Sequence, residues 1–172
     1  MPKGARVAVV LSLVVVAWLG FRATRAFDQD RHAAEAAAVL SSPDVVTYRL
    51  PPVPGQPSSP PLLDGRLSYR PGTWLSVVDL QGLAPAAGDE RYLVFLRNWA
   101  GWTLAGAARP GADRAVQVRS AAEPRPPTIY EVVVTRAVDN ATSVPHGQPV
   151  LHWFDASLAP PRARQFDFAR GA

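Results

Sequence analysis

The chain has 172 residues, no cysteine, 48% hydrophobic and 19% charged residues and a net charge of +4. That balance excludes wholesale disorder, and the absence of cysteine excludes disulfides, thiolate metal sites and cysteine nucleophiles. The positive excess sits at the ends, on Lys3 and Arg6 and on Arg162, Arg164 and Arg170, while residues 44–160 balance ten arginines against ten acidic residues. No basic face is concentrated enough to neutralise a phosphate backbone, so no nucleic-acid partner is expected.

Residues 1–6 form a short basic segment. Residues 7–21 follow with no charge, and Ala23, Ala26 and Phe27 prolong the apolar run. Fifteen residues span about 22 Å as a helix against a hydrocarbon core of about 30 Å, so Arg6 and Arg22 must snorkel. A transmembrane helix is expected over 7–27, with Val7, Leu11, Val15, Trp18 and Phe21 in the lipid bilayer. The alternative is a cleaved signal peptide, against which Thr24-Arg25-Ala26 is a poor cleavage site. The Ala-rich stretch after it favours continued helix, giving a juxtamembrane stalk over 28–43 that stops at Ser41-Ser42-Pro43.

Beyond Pro43 the period changes from helical to alternating. Short strands are expected at 45–50, 67–69, 74–80, 92–96, 102–104, 115–118, 129–135 and 150–154, each bounded by Gly, Pro or polar turn residues. Residues 51–61 read PPVPGQPSSPP, a stiff extended loop. The fold class expected is mainly β: an antiparallel β-sandwich over 44–157, preceded by one long N-terminal transmembrane and stalk α-helix. Residues 158–172, with Pro160-Pro161 and scattered arginines, are expected to be a basic tail, disordered or ordered on contact.

Four stretches together resemble the extracytoplasmic domain of the anti-sigma-K factor family. Ala36-Ala37-Ala38-Val39-Leu40 running into Pro43-Asp44 is similar to the family's Ala-rich helix before its first strand. Trp74 to Leu83 resembles the strand that ends in a Gly-Leu-Pro turn. Tyr92-Leu93-Val94-Phe95-Leu96 and then Trp102-Thr103-Leu104-Ala105-Gly106 are similar to its Tyr-x-Leu-Trp strand and the strand after it. Val132-Val133-Val134-Thr135 with Pro145-His146-Gly147-Gln148-Pro149-Val150-Leu151 resembles the closing hairpin. Phe95 stands in place of the family's Trp, Ala84 interrupts Leu-Pro, and Arg136-Ala137 replaces Glu-Pro. The resemblance implies a β-sandwich outside the cytoplasm and common descent. Only about five residues precede the apolar segment, so no sigma-factor binding is expected from this chain alone.

The catalytic inventory is thin. His32 falls on the stalk, His146 in a Pro-His-Gly turn, and His152 alternates with Leu151 and Trp153 on the polar face of the last strand. His152 and Asp155 supply two potential metal ligands where a site needs three or four. Asp89 and Glu90 are adjacent, which points them to opposite faces of a strand. Asn140-Ala141-Thr142 fits a glycosylation pattern of low specificity. No catalytic, metal or cofactor site is expected. Most aromatics, including Trp74, Tyr92, Phe95, Trp102, Tyr130, Trp153 and Phe154, read as core.

Trp99 differs, because Arg97-Asn98 before it and Ala100-Gly101 after it place it at a hairpin tip. Arg97, Asn98 and Trp99, with Arg162, Arg164, Phe166 and Phe168 of the tail, are the candidate partner contacts. The expected function is that of a non-enzymatic, single-pass protein of the inner membrane. Its extracytoplasmic, periplasmic sandwich binds another membrane or extracytoplasmic protein in an interaction or sensory role. Two alternatives stay open: an accessory structural subunit of a larger respiratory or photosynthetic complex, and a small ligand-binding or hydrolytic domain.

Overall fold

In a computed structural model of the chain, the residues described are 31, 33–54, 63–71, 73, 75–120, 129–139, 142–163 and 165–166. The chain divides into two compact units, 1–38 and 39–172. In the first, the described residues are helical, and Arg31 pairs with Glu35 one turn later at 3.0 Å. Of the expected long N-terminal helix, the described residues show one short helix, and residues 1–30 lie outside them. The helix runs over 33–40 and turns at Ser42, whose N–H donates to the Val39 carbonyl ahead of Pro43. Val7, Leu11, Val15, Trp18 and Phe21 lie outside the described residues, as does His32. Among the described residues no helix is long and apolar enough to cross a membrane.

The second unit is a sandwich of two antiparallel sheets. Its strands in chain order are β1 (Val46–Leu50), β2 (Asp64–Tyr69), β3 (Ser76–Gln81), β4 (Arg91–Asn98), β5 (Gly101–Ala108), β6 (Val116–Ser120), β7 (Glu131–Ala137) and β8 (Gln148–Phe154). One sheet has the order β1-β2-β3-β6 and the other β5-β4-β7-β8. All eight expected strands are present, within a few residues of their expected ends. Trp74 lies outside the described residues.

Period-2 alternation decides what faces inward. Tyr92, Val94 and Leu96 on β4, Val132 and Val134 on β7, and Leu151 on β8 meet Leu67, Val78, Leu80, Val116 and Val118 of the other sheet. The two sheets close together where Gly65 on β2 lets Leu151 in: a Cβ there would stand 2.6 Å from Leu151 Cδ1. Past β1, the chain crosses to β8, with Pro52 bridging Leu151 and His152 N–H donating to the Pro51 carbonyl. This seam closes one side of the sandwich.

The outer face of β5-β4-β7-β8 is also apolar. Leu93, Phe95 and Val133 are fully buried there and form a second cluster with Trp102, Leu104, Ala107, Ala137 and Phe166. The unbroken apolar run of β4 has this origin, since the strand is buried on both faces. Phe166 of the C-terminal segment packs on this outer cluster, while Arg164 and residues 167–172 of the expected basic tail lie outside the described residues.

Candidate interaction site

The site lies on that outer face and begins at the β4–β5 turn. Asn98 pairs with Gly101, leaving Trp99 and Ala100 as the two turn residues. Asn98 Oδ1 accepts the Ala100 N–H at 2.9 Å, and Gly101 takes φ 128°, a backbone region glycine adopts without Cβ strain. Trp99 is 70% exposed at the tip, as its flanking residues led one to expect. Its indole N–H donates to the Leu158 carbonyl at 2.9 Å.

Below the tip is a buried carboxylate. Glu131, at the start of β7, has a side chain 0% exposed. Arg97 pairs with it across the β4–β7 register, donating from Nη1 to Oε2 at 2.8 Å. The same guanidinium lies 5.1 Å from the Trp102 ring centroid and 5.6 Å from that of Tyr130. His152 faces the carboxylate from β8, its Nε2 2.8 Å from Glu131 Oε1 and its side chain 9% exposed. The Phe166 N–H donates to the same Oε1 at 2.7 Å. Gln165 Nε2 stands 3.2 Å from His152 Nδ1. An amide N–H there makes Nδ1 the acceptor and leaves Nε2–H to donate to Glu131. One buried charge is thus met by one guanidinium and two further donors, as burial of a carboxylate requires.

Of the candidate contacts, Arg97, Asn98, Trp99 and Phe166 come together at this site. Arg162 is exposed, in the turn closed by the Ala163 N–H on the Pro160 carbonyl. Arg164 and Phe168 lie outside the described residues. His152 sits on the outer face as alternation placed it, and there it is bonded to Glu131 and covered by the segment of Phe166 rather than lying on an open polar face. Asp155 accepts from the backbone and hydroxyl of Ser157, which holds its carboxyl below the usual carboxylate range. Asp89 and Glu90 lie in the turn before β4, not on a strand, and reach Arg109 and Arg136 respectively. No group of three or more metal-ligating side chains occurs among the described residues. Glu131 and Gln165 were missed as site residues. Glu131 had a signal: it is the lone acid in the apolar run 129–134.

A second polar knot holds the β7–β8 loop at the far end of the same face. His146 Nδ1 is 3.0 Å from the Val144 carbonyl and 2.8 Å from Thr142 Oγ1. Its Nε2 is 3.1 Å from the Asp139 carbonyl and 3.3 Å from the Asp139 carboxylate. Oxygen acceptors at both ring nitrogens favour the doubly protonated ring. The Val144 carbonyl first, then Asp139, raise the His146 pKa above its usual value of 6.5, with burial opposing. A raised folded-state pKa gives stability that is fully present below pH 6.5 and is lost as pH rises through the folded value. Chemical denaturation across that range is expected to show this loss in the native chain and a flatter profile in His146→Ala. Identical profiles would refute the knot.

Compared with known proteins, the chain matches no family model, no curated protein and no solved structure.

Proposed function

We propose that this chain is a single-pass, membrane-anchored, non-enzymatic interaction module whose β-sandwich binds another membrane or extracytoplasmic protein. The observation that carries the reading is the Trp99 turn. A large aromatic stands 70% exposed on a two-residue hairpin loop, braced from below by Asn98 and by the Leu158 carbonyl. Rigid, exposed aromatic anchors are the usual centres of binding energy in protein interfaces. Anchoring by a long helix through residues 7–27, an extracytoplasmic sandwich and descent shared with anti-sigma-K factors belong to the same proposal, supported by the apolar N-terminal run and the ordered sequence resemblance. His152 does not favour a hydrolytic reading, because its two ring nitrogens face Glu131 and Gln165.

The test is purification of the full-length protein from its native host in mild detergent, followed by mass spectrometry of what accompanies it. Trp99→Ala should lose most of the co-purifying protein, consistent with a hot-spot cost of about 2 kcal/mol or more. Its melting temperature should stay close to that of the parent. Full retention of the partner by Trp99→Ala would remove the reading's main support.

A further inference from the structure

The outer face of β5-β4-β7-β8 is already engaged by the chain's own C-terminal segment, which turns after β8 and again at Pro160 before reaching Gln165 and Phe166. Three polar groups grip it. Trp99 Nε1 donates to the Leu158 carbonyl, His152 Nδ1 receives the Gln165 side-chain amide, and Glu131 Oε1 accepts the Phe166 N–H. The Phe166 ring packs edge-on against Trp102, with centroids 5.6 Å apart and planes at 87°. All the receptor groups belong to the strands and the β4–β5 turn. Arg97 and His152, which meet Glu131 from β4 and β8, are themselves strand residues, so the groups that face the segment are supplied by the sandwich.

We propose that this face is a binding site for a segment carrying an amide side chain followed by an aromatic one, filled in cis by Leu158, Gln165 and Phe166 and in trans by the same residues of a second copy of this chain. The occupant is argued from what is seated there. The segment seen to meet Trp99, His152, Glu131 and Trp102 together is one that every copy carries. The segment leaves β8 through Asp155, whose carboxylate caps the following turn, and then passes Pro160-Pro161. A short stiff connection to an element with its own recognition contacts is the arrangement in which exchange between copies costs little. The cis segment competes at the high effective concentration of a tethered ligand, so exchange is suppressed until that segment is weakened. This deepens the interaction-module reading by naming a partner.

The experiment uses full-length protein in detergent and a fluorescent synthetic peptide of residues 157–172, followed by anisotropy. The Phe166→Ala protein should bind the peptide at least about tenfold more tightly than the parent, because its cis competitor is weakened. A peptide with the same Phe166→Ala change should bind that protein at least about tenfold more weakly than the native peptide. Gln165→Ala, at an exposed position, serves in the same comparison if Phe166→Ala does not fold. Absence of peptide binding to a variant that keeps a strand-type spectrum and a cooperative melt would overturn the proposal, and so would equal binding of the two peptides. Either result leaves the native-host purification free to succeed or fail, so the two readings fall separately.

Discussion

Glu131→Ala is expected to destabilise the sandwich by about 3–5 kcal/mol, the usual cost of removing one partner from a buried ion pair. The carboxylate is wholly buried and receives Arg97, His152 and the Phe166 N–H. Its loss strands three donors. Arg97, 24% exposed, must find water past the Trp102 and Tyr130 rings. The Phe166 N–H loses its acceptor, which by itself costs about 1–3 kcal/mol if the group stays buried. These costs overlap, because the C-terminal segment is free to lift away and rehydrate. For a domain of this size the change corresponds to a fall of roughly 10–20 °C in melting temperature. Glu131→Gln keeps the shape and an acceptor and should lose less. A fall below about 1 kcal/mol for Glu131→Ala would mean that the carboxylate is not enclosed.

Phe95→Ala should be as damaging, by about 3–5 kcal/mol. Phe95 points to the outer face, where a one-sided sheet would expose it and the substitution would fall within about 0.5 kcal/mol of neutral. Instead its side chain is fully buried with Leu93 and Val133, beneath Trp102, Leu104 and Phe166. The His146 ring closes the far side, its centroid 5.8 Å away and edge-on. Truncation would open a cavity lined by groups fixed on three strands, with little scope for collapse. Urea unfolding of the two proteins, compared at equal slope, measures the difference.

Much of the fold was legible because local signals and tertiary pairing agree. The strand at 129–135 is β-branched and flanked by turns, and β7 occupies Glu131–Ala137. Element ends were less legible. β5 runs to Ala108, beyond the expected Leu104, since Ala105-Gly106-Ala107-Ala108 has weak strand propensity. Pairing with β4 recruits those residues, with Ala105 as the extra residue of a bulge and Gly106 set close to Val118. The tip position of Trp99 followed from its neighbours alone.

The covered outer face was not legible, and the reason is sequence distance. Its key contact joins Phe166 to Glu131, 35 residues apart, and Trp99 meets Leu158 across 59. Nothing local in a segment containing Pro160-Pro161 and exposed Arg162 signals such contacts. His152 shows the limit most clearly. Alternation assigned it to the correct face, but only the C-terminal segment decides whether that face meets water.

The central claim is that Leu158, Gln165 and Phe166 of the C-terminal segment are a built part of the sandwich, fastened at Glu131. Amide hydrogen exchange at Phe166 in the full-length protein tests it most directly. Exchange should be slowed at least about a hundredfold relative to an unstructured peptide, and most of that protection should vanish in Glu131→Ala. Exchange of the native Phe166 amide at the unstructured rate would contradict the account.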